Sequence, residues 1–310
     1  MGVTETPIRL GVIGLGVMGR RTFAQAVKHP DFEVTFLADA NPEVEDAVQA
    51  EFPDIPVLPA TEFPDHVDAI YIATPPSLHA PYALLALRAG IAVFCEKPLA
   101  VDLAEGREMV AAGGVTAVNF PLSDTHSTVY LEKAIPDAGQ LLGVDVRMTF
   151  PRWPRPFQAP AAWVGERAEG GFIREVFSHF AYLTDRLVGP VRTEQATVDY
   201  LAAGSEVAAR GLLRAGDVPV QVTGYGNVAS PEHYEWTLWG TARSYRLTNW
   251  AQLSVSDGGP WTPVELTGDA GSEASRLSLF AQAIRGRRPA NLADFADALR
   301  VQEAVEAFYA

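Results

Sequence analysis

Three short stretches of this 310-residue chain carry residue types and spacings that could do chemistry. The first is Gly14-Leu15-Gly16-Val17-Met18-Gly19, which follows the apolar run Ile8, Leu10, Val12, Ile13 and opens a segment with apolar residues at Phe23, Ala26 and Val27. Gly14 permits a tight turn, Gly16 lets a pyrophosphate approach the backbone, and Gly19 lets helix and strand pack closely. The unpaired N–H groups of a helix starting there favour an anion. A second β-rich run, Val34 to Ala38, ends at Asp39. That is about 20 residues past the last glycine, where a carboxylate can accept hydrogen bonds from both ribose hydroxyls. Strand, glycine turn, helix, strand and acid in this order point to a dinucleotide site. Asp39 would repel a 2′-phosphate, so the cofactor expected is NAD rather than NADP.

The second stretch is Glu96-Lys97-Pro98, directly after the apolar run Ile91 to Cys95. A lysine at the carboxyl end of a strand and fixed by a proline is placed where a nicotinamide ring would lie. The plainer reading of the same residue is a surface lysine ahead of a loop proline. The third is Gly170-Gly171-Phe172-Ile173-Arg174-Glu175-Val176-Phe177-Ser178-His179-Phe180-Ala181-Tyr182. Read as a helix, it sets Ile173, Phe177 and Phe180 on an apolar stripe and Glu175, His179 and Tyr182 on another face. A carboxylate one turn before an imidazole can orient the ring and raise its basicity. Periodicity alone also fits a half-buried helix whose polar stripe faces solvent.

These stretches need elements to hold them. After Asp39, Asn41-Pro42 is a turn opening a helix to Phe52, and Pro53, Pro56 and Pro59 break the next segment into a short strand and loop. Asp68 to Ala73 is apolar throughout, as a strand covered on both faces should be, and ends in Thr74-Pro75-Pro76-Ser77-Leu78-His79. Ser77 is the expected N-cap and Gly90 the C′ residue of the next helix. A helix over 102–112 and a strand over 115–119 continue an alternation of strand and helix that means a doubly wound parallel sheet. Gly14, Asp39, Thr74, Glu96 and Lys97 all fall at carboxyl ends of its strands, where such sheets bind ligands. Thr74, Pro75, His79 and Glu96 therefore join Gly14, Gly16, Val17, Met18, Gly19, Asp39 and Lys97 as candidate cofactor residues.

Past Asn119 the pattern changes. A helix over 127–135 leads to a β run at 144–150, and the helix over 172–187 precedes β runs near 194–200, 207–213, 218–225, 234–239, 244–249 and 252–255. Strands without helices between them imply a largely antiparallel open sheet, hence an α+β domain. Helices over 275–285 and 292–309, separated by the turn at 286–289, end the sequence. The fold expected is thus α/β: a Rossmann domain over 1–120 and a substrate-binding and oligomerisation domain over 121–310.

Composition narrows the function classes. Hydrophobic residues at 48% and charged residues at 20% are ordinary globular values, and the length suffices for two domains. A net charge of −14 argues against nucleic acid, which requires clustered Lys and Arg. The single cysteine, Cys95, excludes an internal disulfide framework and fits a reducing cytoplasm. No apolar run approaches the ~18 residues that would span a membrane, and there is no signal-peptide core. Met1 to Thr6 matches an N-myristoylation pattern formally, but nothing basic is nearby to add a second anchor. The six histidines show no metal-ligand spacing, so no metal is expected.

With these residues in view, the chain resembles the glucose–fructose oxidoreductase, inositol dehydrogenase and rhizopine-catabolism (Gfo/Idh/MocA) family over nearly its whole length. The resemblance rests on the glycine turn with Asp39, Thr74-Pro75-Pro76 with His79, Glu96-Lys97-Pro98, and the helix containing His179. It implies oxidation of a hydroxyl on a sugar, inositol or related polyol, with Lys97 as catalytic lysine and His179 as proton acceptor, and a homo-oligomer, dimer or tetramer, through the C-terminal sheet. The family's Gly-Gly…Asp-x-Gly-x-His-x-x-Asp pattern is altered here. Glu175 stands for the first Asp, Phe177 for Gly and Tyr182 for the last Asp, and Phe120-Pro121 comes after Asn119 where many members place arginine. Glu175 would orient His179. Tyr182 and, from the loop after the 144–150 run, Arg152, Trp153 and Trp163 are candidate substrate contacts, with Arg152 and Arg155 able to recognise a carboxylate or phosphate bidentately. Two other readings share these residues: a sensor that holds NAD without turnover, and an enzyme that recycles bound NAD during eliminative glycoside cleavage.

Overall fold

The computed structural model describes residues 6–159, 161–201, 203–267, 271–287 and 289–310. Residues 1–5 of the acylation pattern, and Arg288 of the turn expected at 286–289, lie outside them. The chain forms two compact units, Met1–Pro121 with Gly271–Leu299, and Leu122–Ala270 with Arg300–Ala310.

In the first unit, strands β1 (Ile8–Ile13), β2 (Phe32–Ala38), β3 (Ala69–Ile72), β4 (Ala92–Cys95) and β5 (Thr116–Val118) alternate with helices α1 (Val17–Ala26), α2 (Pro42–Glu51), α3 (His79–Arg88) and α4 (Leu103–Ala112). The strands pair in parallel in the order β2-β1-β3-β4-β5. Strands β3 and β4 are buried at every residue, which explains why they read as unbroken apolar runs. The short strand expected among Pro53, Pro56 and Pro59 reduces to one parallel bridge, Val57 beside Leu37. Three prolines without N–H groups cannot sustain a ladder. Counting that bridge, the order is the doubly wound 3-2-1-4-5-6, and it reverses between β1 and β3. The carboxyl ends of these two strands lead into Gly14 and Thr74. Ser77 sits inside a 3₁₀ turn, Pro76–Leu78, so the N-cap of α3 is Leu78 rather than the expected Ser77.

The first unit takes back a late piece of chain that the expected division at 120/121 left in the second. Helix α7 (Glu273–Ile284) places Leu277, Phe280 and Ala281 in the same apolar cluster as Leu10, Val12, Phe32, Tyr71 and Phe94. The Phe280 ring stacks on Phe32 at 6.4 Å and meets Phe94 at 5.3 Å. Leu292 joins the cluster, and Ala293 bridges antiparallel to Val118. A five-stranded sheet has two faces to cover, and α7 supplies apolar cover that local sequence order does not reveal. The return to the second unit occurs within α8 (Phe295–Glu306).

The second unit holds α5 (His126–Ala134), β6 (Leu141–Phe150), α6 (Ser178–Leu187), β7 (Val191–Asp199), β8 (Ala208–Ala215), β9 (Val218–Gly226), β10 (His233–Gly240), β11 (Ser244–Thr248), β12 (Gln252–Ser256) and β13 (Thr262–Pro263). They form one sheet in the order β13-β12-β11-β10-β6-β9-β8-β7, antiparallel except for the β6–β9 pair. The helix expected over 172–187 begins instead as a π turn, Ile173–Phe177, and becomes α-helical only at Ser178.

Because Phe280 lies in the core of the first unit, Phe280→Ala should destabilise that unit by about 4 kcal/mol, the usual cost of emptying a buried phenylalanine site. Urea unfolding monitored by circular dichroism should show the lowered midpoint. An unchanged midpoint would mean that α7 is only draped on the sheet.

Candidate active site

The glycine turn is shaped for close backbone approach. Gly14 has φ +91°, and a Cβ there would lie 2.6 Å from the backbone of Ala73. A Cβ on Gly19 would lie 1.9 Å from the Gly14 carbonyl, so helix α1 can pack on the turn only without one. A Cβ on Gly16 would meet nothing within 4 Å. Gly16 is also the N-cap of α1, and no side chain caps the first turn. Val17, 68% exposed, and Met18 begin the helix. Open space over uncapped N–H groups is what a diphosphate requires. Asp39 is held by two backbone donors, Leu15 N–H to Oδ2 at 2.6 Å and Asn41 N–H to Oδ1 at 2.9 Å. Each carboxylate oxygen keeps a lone pair for a ribose hydroxyl. Thr74 Oγ1 is buried with no hydrogen-bond partner among the described residues. The open glycine turn, the fixed Asp39 and the orphaned Thr74 hydroxyl together fit a bound dinucleotide.

Lys97 is the second residue past β4, with a cis peptide bond to Pro98. Its neighbour Glu96 turns inward rather than toward a ligand. Glu96 Oε1 accepts from Tyr71 Oη at 2.5 Å and from Asn119 Nδ2 at 2.6 Å. Thr22 Oγ1 donates to Tyr71 Oη at 3.1 Å, and Arg276 Nε donates to Asn119 Oδ1 at 2.7 Å. Burial pushes the Glu96 carboxyl above its usual range against the opposing pull of Tyr71, Asn119, Lys97 and Arg276, and burial also drives the Tyr71 hydroxyl well up. Through Oε1, Glu96 is therefore the anchor beneath the Lys97 turn. Cys95 is buried, and burial pushes its thiol well up, so it is no nucleophile.

Pro75 caps the 3₁₀ turn that leads to His79, and His79 joins that turn to the Lys97 turn. Its Nδ1 lies 2.8 Å from the Pro98 carbonyl and its Nε2 3.0 Å from the Thr74 carbonyl. A neutral imidazole can donate to only one of them. Burial, the largest influence, lowers the ring's affinity for a proton in spite of both carbonyls.

In the second unit, His179 sits in α6, which is buried along most of its length. Its approach is built by Gly170 and Gly171. A Cβ on Gly170 would lie 2.3 Å from the Val164 carbonyl, and Gly171 has φ +107° with Glu206 where its Cβ would be, at 2.1 Å. Glu206 Oε1 accepts the Ile173 N–H at 2.9 Å and so satisfies a donor at the start of the helical segment. Arg174 grips Glu306 with Nε and Nη2, both at 2.7 Å, and lies 3.9 Å over the Tyr309 ring. Glu175 Oε2 accepts from Gln158 Nε2 at 3.4 Å. Gln158 also accepts from Arg155 Nε at 2.9 Å, and Arg155 Nη1 donates to Tyr234 Oη at 3.1 Å. Tyr234 in turn donates to Glu232, and burial is the main cause that pushes its hydroxyl up to about 12.

The substrate contacts expected from the loop after β6 fare differently. Trp153 is buried against Phe150 at 4.8 Å and Phe172 at 6.0 Å, which makes it a core residue. Arg152 is exposed, Trp163 is half-buried in a 3₁₀ turn, and Tyr182 is buried in α6. Arg155, rather than Arg152, reaches the residues around Glu175.

Trp250 is a neighbour of His179 that sequence reasoning does not single out. Its ring meets His179 edge-on at 5.5 Å and 84°, stacks on Phe180 at 5.1 Å and 15°, and tilts against Tyr234 at 5.0 Å. Asn249 and Trp250 occupy the β11–β12 turn with φ +48° and +71°. Such turns favour Asn-Gly, so Asn-Trp between two β runs is the sequence signal available. A bulky residue held there costs about 1–3 kcal/mol.

Residues 8–114 match the profile of an oxidoreductase family with an NAD-binding Rossmann fold, GFO_IDH_MocA. Over those residues the chain is similar to the Gfo/Idh/MocA family. The inositol 2-dehydrogenase of Rhizobium meliloti is 28% identical over 181 residues, 56% of this chain and 52% of that protein. Matched stretches span 31% to 59% of the lengths of the curated relatives. Among solved structures, the WlbA dehydrogenase of Bordetella pertussis, in complex with NADH and UDP-GlcNAcA, has TM-score 0.80 at 23% identity over 98% of this chain and 97% of that one. The 3-ketoreductase KijD10 of Actinomadura kijaniata, in complex with NADP and TDP-benzene, has TM-score 0.81 at 21% identity over the same shares. Both show the two-part fold.

The Phe177 departure from the Gfo/Idh/MocA pattern is accommodated locally. Phe177, where the family has glycine, closes the π turn and packs on Phe308 at 5.4 Å. π turns insert a residue into a helix and are frequent at functional sites.

The depressed His79 proton affinity has a sign. The unfolded ring titrates near the ordinary 6.5 while the folded ring resists protonation, so stability is full above that pH and is lost as pH falls below it. As pH falls across that range, the unfolding free energy of the wild type should drop by at most about 1.4 kcal/mol per pH unit from this group, with a lower thermal midpoint. His79→Gln should flatten the slope. An equal slope in the variant would sink the assignment.

Proposed function

We propose that this chain is an NAD-dependent oxidoreductase acting on a hydroxyl carbon of a sugar, inositol or related polyol. The observation that carries the proposal is the unit built at the β1–β3 switch point. An open glycine turn, a carboxylate with both oxygens held by backbone N–H groups, and a lysine turn tied by His79 to the Thr74 loop all lie at the carboxyl ends of one parallel sheet. A bound nicotinamide would supply the two-electron acceptor. Gly14, Gly16, Gly19 and the first N–H groups of α1 would hold its diphosphate, and Asp39 its ribose, disfavouring a 2′-phosphate. Lys97 hydrogen-bonds the reacting oxygen and stabilises the negative charge that develops there. His179 takes the hydroxyl proton as general base, in the pH range where an imidazole can exchange one. Glu175 and its Gln158 partner fix the helix segment from which His179 projects. The relatives named for inositol and nucleotide-sugar chemistry support this substrate class. Assembly into homo-oligomers through the eight-stranded sheet belongs to the same proposal, supported by Leu212 at 50% and Trp239 at 40% exposure on its strands.

Purified protein mixed with NAD and a panel of aldoses, inositols, polyols, sugar acids and nucleotide sugars should raise the absorbance of reduced nicotinamide with at least one of them. Lys97→Met should lower kcat about 10²- to 10³-fold while NAD still binds, as for loss of one charge-stabilising donor. Undiminished turnover would remove Lys97 from the mechanism. No turnover across the panel, with NAD bound, would favour a sensor.

Asp39→Ala should weaken NAD binding about tenfold, the scale of one or two lost hydrogen bonds, and narrow the preference over NADP. Calorimetric titration with each cofactor decides it, since equal affinities before and after substitution would refute the ribose role.

A further inference from the structure

His179 is flanked by a residue that the backbone does not favour. The β11–β12 turn closes with the Ala251 N–H on the Thr248 carbonyl at 3.3 Å, and its two central residues, Asn249 and Trp250, both have positive φ. Asparagine tolerates that region and glycine fits it without strain, whereas tryptophan does not. The turn is also pinned from behind, because the Asn249 N–H donates to the Tyr234 carbonyl at 3.1 Å. The strained residue is therefore delivered to a fixed place. There its indole is only half-buried, yet it touches three side chains: His179 edge-on, Phe180 in parallel and Tyr234 at a tilt. Two of the three are consecutive residues of the helix that carries the proposed base.

Strain at a specific residue, held by its surroundings and adjoining a reactive group, is the usual mark of a residue kept for function. A turn whose only task was to join β11 to β12 would be served better by Asn-Gly. We infer that Trp250 is a positioning residue for His179. Its ring closes one flank of the imidazole, limits the ring's rotation and keeps water from that side, so that the base meets its proton in one orientation. The role rests on the reading of His179 as general base, but the contact can be tested without turnover.

The experiment compares wild type, Trp250→Gly and Trp250→Phe in the full-length protein, with His179→Gln as blank. The probe is diethyl pyrocarbonate, with the modified histidine located by mass spectrometry. Glycine relieves the strain of the left-handed turn while the packing of the half-buried indole is lost, two effects of opposite sign, so Trp250→Gly should remain folded. His179 should nevertheless react several-fold faster than in wild type. Where the substrate panel has supplied a substrate, kcat should fall between about tenfold and 10²-fold, with KM little moved, as for a misplaced catalytic group. Trp250→Phe, which keeps an aromatic flank, should recover most of both. Unchanged His179 reactivity in Trp250→Gly overturns the inference. So does a fall in melting temperature with kcat and KM degraded alike in the glycine and phenylalanine variants, which is what an ordinary core tryptophan would give. A protein silent across the panel, yet with His179 unmasked in Trp250→Gly, would refute the proposed reaction and leave the positioning contact standing.

Discussion

The first unit depends on one buried carboxylate. Glu96 directly follows β4, and its side chain points into the protein, where a charge without partners would be prohibitively costly. Tyr71 from β3 and Asn119 from just past β5 satisfy Oε1 directly, and Arg276 reaches Asn119 from α7. Arg276 is itself 2% exposed and also pairs with Glu273 at 3.4 Å. Three elements therefore converge on the residue immediately before Lys97. A network of this kind contributes little net stability, because desolvation offsets most of its Coulomb attraction. Its consequence is geometric: with every partner satisfied, the β4 end has one arrangement, and Lys97 projects from a fixed platform. The same network explains why 271–299 belongs to this unit, since without Arg276 the amide of Asn119 would lose its charged donor.

His79 extends that platform sideways. The Glu96 network fixes the lysine turn from below, and the imidazole ties the turn to the Thr74 loop at the neighbouring strand end. The ring is one proton short of satisfying both carbonyls, and burial keeps it so. The arrangement tolerates one contact without a proton in order to join two loops that bracket the β3–β4 strand ends.

In the second unit the corresponding constraint is the start of the His179 helix. Two glycines allow the chain to pass beneath Trp163 and Val164, Glu206 caps the first turn, and the Arg174–Glu306 pair clamps it to the end of α8. The π turn then passes Glu175 and Phe177 before regular α-helix resumes at Ser178. An ideal helix would set Glu175 one turn behind His179, as the sequence implies. Glu175 lies within that i→i+5 turn and accepts a hydrogen bond from Gln158.

The two groups of candidate residues differ in how far the sequence reveals them, and the reason is physical. A dinucleotide is held largely by backbone N–H groups and by glycines whose missing Cβ atoms make room, and these must be contiguous. Gly14 to Gly19 and Asp39 therefore keep a fixed spacing that can be read directly. The parallel sheet is legible for a like reason, because burial on both faces writes unbroken apolar runs into β3 and β4. The inward turn of Glu96 could not be read, since Tyr71, Asn119 and Arg276 lie 25, 23 and 180 residues from it along the chain. Around His179 nothing is contiguous except the helix itself. Gln158, Tyr234 and Trp250 come from a 3₁₀ turn, a strand and a hairpin turn, and only the fold brings them together. Sequence spacing records chemistry that the backbone performs locally. Where side chains from distant elements must converge, the sequence leaves single anomalies instead, and a tryptophan in a glycine's place at position 250 is one of them.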